Sequence, residues 1–299
     1  MQYTLKQLRY LVAVAEYGSV SVAARSLFIS QPALSAAIAQ LENSLGLPLL
    51  IRHHARGISV TPAGRQFVAR ARGLLGHANE LELLGRELGD SVRGELIVGC
   101  FMTLTPFFVP KLLKNLHQSH PELRVQLAEG ALDQVQAALL AGETEIGLVY
   151  DIDLDHQLAT EELTRGRPHV LVASNHRLAT HSAVSLSALA TDPMILLDLP
   201  HSRDYFRSLF LDAGAEPIIR HRTQSFELVR GLVGQGHGYS VLNLQPHSNR
   251  TYDGGRVRCI PIEDPTTDLA IAIARPRDLQ LTHRAAAFST VCRRFFADG

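Results

Sequence analysis

The chain has 299 residues, 46% of them hydrophobic, which is enough for two globular units with separate cores. Its start, "MQYTLKQLRYLVAV", lacks the basic, apolar and small-residue order of a secretory signal, and no run approaches the ~18 apolar residues of a membrane span. Cys100, Cys259 and Cys292 are too few and too scattered for a disulfide framework, so the composition points to reduced thiols in a cytoplasmic protein with no membrane partner.

The 29 bases and 29 acids cancel, but they are not spread evenly. Residues 1–72 hold Lys6, Arg9, Arg25, Arg52, Arg56, Arg65, Arg70 and Arg72 against Glu16 and Glu42: eight bases to two acids, a surplus of +6. The remainder holds 21 bases to 27 acids, a deficit of −6. This split predicts a polyanion partner for the first segment alone.

In chain order, Leu5, Leu8, Val12 and Ala15 recur at helical spacing until Gly18. Ser19 is placed to cap a short second helix with Val22, Ala23 and Leu27 facing inward. After "FIS", Ser30 caps a third helix with Pro32 in its first turn. Taking Leu34 as reference at about 100° per residue, Ile38, Leu41 and Leu45 lie within about 40° of it and form a buried stripe. Pro32, Ser35, Ala36, Ala39, Gln40 and Asn43 fall on the other side. Small, nearly uncharged side chains there suit a helix that enters a DNA groove about 12 Å wide, where Lys or Glu would hold it off. The helix-turn-helix, about Ser21 to Gln40, supplies the docking geometry. "LLIRHHARGISVTPAG" reads as a basic β-hairpin. Pro62 opens a helix to about Leu88, where Phe67, Leu74, Leu81 and Leu88 fall seven apart and Ala71, Ala78 and Gly85 follow four later. That heptad pattern predicts pairing with a second copy.

From Gly94 the pattern turns to β/α alternation. The strands read are "ELIVGC", "ELRVQLAE", "EIGLVY", "PHVLVAS", "MILLD", "EPIIRHRT", "GYSVLN" and "DLAIAIA". Helices fall between them, and one closes the chain at Leu279–Phe296. Two α/β subdomains in succession predict a cleft where strands end and helices begin.

"FISQPALSAAIAQLENSLGLPLLIRHHARGISVTPAG" resembles the signature of LysR-type transcriptional regulators. The matching elements are Ala23-Ala24, the run Ser30 to Ser35, Ile38, Leu41-Glu42, Leu45-Gly46, Leu49, Arg52 and Thr61 to Gly64. The resemblance extends over the whole chain. It implies an α/β multidomain fold with an N-terminal winged helix-turn-helix (1–61), a dimerisation linker helix (62–92) and a periplasmic-binding-protein-like effector domain (93–299). That domain divides into subdomain I, 93–166 and 269–299, and subdomain II, 167–268.

The implied function is a DNA-binding transcriptional regulator modulated by a small molecule. Its partners would be double-stranded operator DNA, a carboxylate or aromatic metabolite, further copies of itself as homodimer or homotetramer, and RNA polymerase. Gln31, Pro32, Ser35 and Ala36 match the family's groove-facing positions, with Ser30 as cap and phosphate contact and Arg52 and Arg56 on the wing. The family's usual wing Phe is Leu50 here, a tolerable change of core volume. His53 and His54 open metal and pH readings, but adjacent hairpin residues point to opposite faces, which favours phosphate contact or exposure.

For the effector, strand-to-helix turns put Cys100, Phe101, Met102 and Thr103 on one side of the cleft. Backbone N–H groups at that first turn favour an anion, and Asp198, His201, Ser202 and Phe226 lie on the other side. The resemblance adds Gly130. A redox role for Cys100 needs an exposed, low-pKa thiol and a resolving partner, and the cysteine nearest in sequence is Cys259.

"DIDLDHQLATEE" has acids at calcium-loop positions but His156 where such a loop needs Gly, so it reads as a solvated loop. "GLVGQGHGYS" has the wrong spacing and context for a nucleotide fingerprint and reads as a tight turn. No catalytic grouping, metal site or cofactor motif is present in the sequence, so the chain is not expected to be an enzyme. A small-molecule binding protein without a regulatory role would account for residues 94–299. It would leave the basic head and the heptads without purpose.

Overall fold

The computed structural model describes residues 3–53, 57–86 and 92–298. The head begins with α1 (Leu5–Tyr17), where the Thr4 hydroxyl and the Gln7 side chain form a reciprocal capping box and Gly18 closes the helix at φ +59°. α2 (Val20–Ser26) and α3 (Gln31–Leu45) follow, each capped by the serine expected, Ser19 and Ser30. The two axes turn through 109°, the crossing of a helix-turn-helix. Leu8, Leu11, Val14, Ala23, Ala24, Leu34, Ile38 and Leu41 form the core of the head. At roughly 1.5–3 kcal/mol for each large apolar side chain fully buried, that cluster fixes the angle between the helices. Val22, expected inward, is instead 37% exposed, because a seven-residue helix has room for only one buried face, taken by Ala23 and Ala24.

β1 (Leu50–His53) and β2 (Gly57–Val60) pair antiparallel as the wing, and Leu50 is buried in the core of the head. The wing is tied to the head where Ile58 N–H donates to the carbonyl of Gly18 at 2.8 Å. Thr61 then starts α4 (Pro62–Arg86). Its hydroxyl accepts from Gly64 N–H at 2.8 Å and donates to the Pro48 carbonyl at 2.9 Å. A Cβ on Gly64 would lie 2.1 Å from the Leu49 carbonyl oxygen, so the "TPAG" glycine is required by the close approach of helix and wing.

The C-terminal part is two lobes. The first contains β3 (Gly94–Phe101), α5 (Thr105–Ser119), β4 (Leu123–Gly130), α6 (Leu132–Leu140), β5 (Ile146–Tyr150) and β6 (Leu158–Gly166). The second holds β7 (His169–Ala173), a 3₁₀ turn (Leu186–Leu189), β8 (Pro193–Leu197), α7 (Ser202–Asp212), β9 (Ile218–Thr223), α8 (Phe226–Gly234), β10 (Ser240–Leu242) and β11 (Val257–Pro261). The chain then returns to the first lobe with β12 (Leu269–Pro276) and α9 (His283–Ala297).

The first lobe's sheet runs β4-β3-β5-β12-β6, with β3 parallel to both neighbours and β12 antiparallel to β5 and β6. The second lobe has β10-β7-β11, antiparallel, and the parallel pair β8-β9. A bridge from Met194 to Tyr239 joins the two sheets. There Gly238, at φ +152°, lets the chain pass where a Cβ would lie 2.0 Å from the Pro193 carbonyl oxygen. The glycine-rich stretch is thus a tight passage between elements and no phosphate cradle. Two crossings, Gly166 to His169 and Ile262 to Leu269, connect the lobes.

α4 packs on both the head and the first lobe. Phe67, Val68, Ala71 and Leu75 join the core of the head, with the Phe67 ring 6.1 Å from Tyr3. On its other side Arg72 donates to the carbonyl of Ala141 at the end of α6, at 2.8 Å. Glu80, only 9% exposed, accepts from His283 N–H at the start of α9, at 2.8 Å. Arg70 pairs with Asp278 at 2.9 Å. The heptad stripe is therefore divided. Phe67 and Ala71 are consumed inside the chain, Leu74 and Leu81 stay 44% and 72% exposed, and Leu88 falls outside the described residues.

Candidate nucleic-acid interface and effector cleft

On α3, Leu34, Ile38 and Leu41 are buried, while Gln31, Pro32, Ala36, Gln40 and Asn43 are exposed and Ser35 is half-buried. The Ser30 hydroxyl accepts from Ala33 N–H at 3.4 Å, leaving the helix start open to solvent. Ser21 donates to Gln31 Oε1 at 2.9 Å, so the first turns of α2 and α3 lie together. The one acid of this helix, Glu42, does not face outward. Its carboxylate accepts from Leu49 N–H at 2.6 Å and Leu50 N–H at 3.0 Å, anchoring the wing. The groove-facing side consequently carries no negative charge.

Arg52 is exposed on β1, and His53 Nε2 lies 2.7 Å from the Ser59 hydroxyl. His54 and Arg56 lie outside the described residues. The tally of bases also changes, because Arg70 and Arg72 are spent on Asp278, Ala141 and Glu143. Six bases against two acids remain for the head, a surplus of +4 where the sequence suggested +6. A single exposed α-helix with a basic hairpin at its flank can enter a major groove and grip the adjacent backbone.

Between the lobes, Met102, Thr103, Gln224, Ser225 and Phe226 line an open hollow of about 380 Å³. Met102 N–H donates to the Gly130 carbonyl at 3.0 Å, so Gly130 acts through its backbone in shaping this rim. The Ser225 hydroxyl caps α8 by accepting from Leu228 N–H at 3.3 Å. Among the described residues, three side-chain contacts cross from lobe to lobe. Tyr150 donates to Asn243 Oδ1 at 3.1 Å, the rings of Phe107 and Phe226 meet edge to face at 5.3 Å, and His201 Nδ1 lies 3.4 Å from Asp153 Oδ2. Burial pushes the Tyr150 hydroxyl up, so it stays protonated and remains a donor.

The expected effector residues are thus not one cluster. Met102, Thr103 and Phe226 share the hollow. Phe101 is buried and its ring meets Tyr150 edge to face at 5.4 Å. Asp198 is held by Arg203 at 3.2 Å and Arg222 at 3.6 Å, and His201 stands at a second crossing, while Ser202 is buried in the first turn of α7. Cys100 is a correction. Its side chain has no exposed surface, because its register on β3 directs it into the core. Burial pushes its thiol up to about 12, with Glu129 adding to the effect. Burial pushes the Cys292 thiol up as well, with the charge of Cys100 adding to the effect.

Gln224 and Asn243 were missed by sequence reasoning. Gln224 lies just before an expected helix, and Asn243 ends an expected strand, so each occupies a kind of position that is informative elsewhere in the chain. The acids of "DIDLDHQLATEE" disperse. Asp151 accepts from Thr160, Asp155 from Gln157 N–H, Glu162 pairs with Arg165, and from Leu158 the segment is β6.

Residues 5–65 match the family model of the bacterial regulatory helix-turn-helix proteins of the lysR family, and residues 89–297 match the LysR substrate binding domain. The chain belongs to the LysR family. It is a DNA-binding transcriptional regulator with an effector-binding C-terminal domain. Among its relatives is a hydrogen peroxide-inducible genes activator of Pectobacterium carotovorum subsp. carotovorum, 30% identical over 90% of this chain and 89% of that protein. Among similar solved structures is HinK, a LysR family transcriptional regulator from Pseudomonas aeruginosa, with 38% identity, 98% of each chain covered and a TM-score of 0.67. A full-length OxyR variant from Pseudomonas aeruginosa is similar at 25% identity, 97% of each chain and a TM-score of 0.77.

Proposed function

We propose that this LysR-family regulator lays Gln31, Pro32, Ser35 and Ala36 in the major groove, with Ser30 on a phosphate and Arg52 and Arg56 on the flanking backbone or minor groove. A small carboxylate or aromatic metabolite binds between the lobes and alters that grip. The division into a head (1–61), a linker (62–92) and an effector domain (93–299, its lobes exchanging at 166/167 and 268/269) belongs to the same reading. So do assembly into homodimers and homotetramers through α4, contact with RNA polymerase, a cytoplasmic location and the absence of catalysis. The observation that carries the effector assignment is the hollow of about 380 Å³ bounded by Met102 and Thr103 on one lobe and by Gln224, Ser225 and Phe226 on the other.

Aromatic and apolar walls with hydroxyl and amide groups suit a ring or a short chain bearing one polar head. Some relatives are named activators of hydrogen peroxide-inducible genes, but thiol oxidation does not account for the cleft of this chain. All three thiols are pushed up by burial, Cys259 to about 11, so none is an activated thiolate at neutral pH.

A melting-temperature screen of carboxylates and aromatics tests the effector half. A ligand at about 100 times its Kd adds about 2.7 kcal/mol to the folded state, and Phe226→Ala is expected to abolish its shift. A gel-shift series tests the DNA half. Gln31→Ala should erase preference for the upstream operator while retaining random-duplex binding, and equal loss on both duplexes overturns the groove assignment.

A further inference from the structure

Among the described residues, only Phe28, Asp153 and His201 combine a side chain with a positive φ, at +55°, +48° and +65°. Phe28 follows Leu27, the C-cap of α2, and closes that helix with both bonds of a Schellman turn. Its own N–H donates to the Arg25 carbonyl at 3.1 Å, and Ile29 N–H donates to the Ala24 carbonyl at 3.0 Å. Glycine is favoured at this position, since a Cβ is strained there. The head obeys that rule at its other two helix ends, with Gly18 after α1 and Gly46 after α3 at φ +59° and +65°.

Phenylalanine at such a site carries strain and, here, gains nothing from folding. Its ring is 95% exposed, while its neighbour Ile29 packs on the core of the head. The other ten phenylalanines are buried or half-buried. A strained backbone with an apolar side chain in water points to a partner rather than to the fold. The surroundings indicate which partner. Phe28 lies two residues before the cap Ser30 and three before Gln31, and the exposed Arg25 flanks it on α2. A ring between a guanidinium and a hydroxyl matches a sugar–phosphate strand, with phosphates at either side and a deoxyribose between them.

We propose that Phe28 contacts DNA, its ring against the deoxyribose wall of the groove that α3 enters, with Arg25 and Ser30 toward the adjacent phosphates. The inference rests on α2 and α3 being the DNA-binding element and adds an apolar contact to it. Such a contact displaces no counterion and reads no base. It therefore contributes equally on all sequences and leaves the salt slope unchanged.

The test uses the full-length protein, a mixed-sequence duplex and a salt titration, with Phe28→Gly, Phe28→Asn and Phe28→Leu. The glycine and asparagine variants are expected to melt at or above the wild-type temperature, because both residues tolerate this backbone. They should bind the duplex about tenfold to thirtyfold more weakly at an unchanged salt slope, and the leucine variant should fall between. Wild-type affinity in both polar variants overturns the contact. Lower melting in both makes the ring a structural element and overturns it as well. A fall in oligomeric state by sedimentation reassigns the ring to a protein interface. If the wild type itself holds no duplex, the DNA-binding assignment fails first, an outcome distinct from binding that is indifferent to Phe28.

Discussion

His169 opens β7 with 9% of its surface exposed, and its Nε2 has no hydrogen-bond partner among the described residues. Burial pushes its pKa down to about 4, against a smaller upward pull from a backbone hydrogen bond with Arg167. The unfolded chain takes up its proton near 6.5, so between about 6.5 and 4 it binds a proton that the folded chain refuses. Stability from this residue is complete above that window and is lost as the pH falls through it. Unfolding in urea is expected to show a loss of about 2 kcal/mol between about pH 7 and pH 5 that His169→Leu removes. If the variant keeps the full acid loss, the slope belongs to other groups. Glu42 is a related case of one side chain serving the fold. Sequence alone presents it as the single charge on a smooth helix, and only tertiary structure reveals that two wing amides consume it.

Elements with one buried and one open face are legible in the chain, because burial imposes a period of 3.6 or 2 on the residues. α1, α3 and α5 follow that rule, and the serine caps of α2 and α3 fall where local hydrogen bonding dictates. β6 and β11 carry no such signature, and both are edge strands. β6 has Thr160, Glu161 and Glu162 in succession, polar on both faces because only one side has a neighbouring strand. Cys100 escapes for another reason: the end of a strand is visible in sequence, but not that both faces of β3 are buried from Val98 to Phe101. A related ambiguity affects α4, whose seven-residue repeat mixes side chains used within the chain with two that are not. Leu81, 72% exposed, has its apolar surface open to a second copy. Leu81→Glu is expected to leave the melting temperature of the protomer within a few degrees while shifting sedimentation toward the monomer, since a surface change away from packed features costs about 0.5 kcal/mol or less. An unchanged dimer removes this part of the helix from the interface.

Across the whole molecule, the two lobes meet through few groups, and one of them is easily removed. Tyr150→Phe deletes the hydroxyl that donates to Asn243 and leaves Phe101 its aromatic neighbour. A hydrogen bond of this kind is worth about 1 kcal/mol net. Melting should fall little, while effector affinity changes by about fivefold as the balance between lobe arrangements moves. Identical titration curves for the two proteins would assign the bond to static structure. The architecture, two lobes behind a helical head, followed from the order of elements and the uneven charge. The cleft's membership did not, because Gln224 and Asn243 are set opposite Met102, Thr103 and Tyr150 only by the way the two lobes face each other.

Because α4 gives Val68 and Ala71 to one core and Arg72 and Glu80 to helix ends in another, there is no seam at which to cut this protein. A graft joined at residue 61 strips the head of its fourth helix, and one joined near 92 carries Glu80 away from the amide it holds. Exchanging input modules between such regulators therefore means transplanting the matching rows of this rod along with either partner.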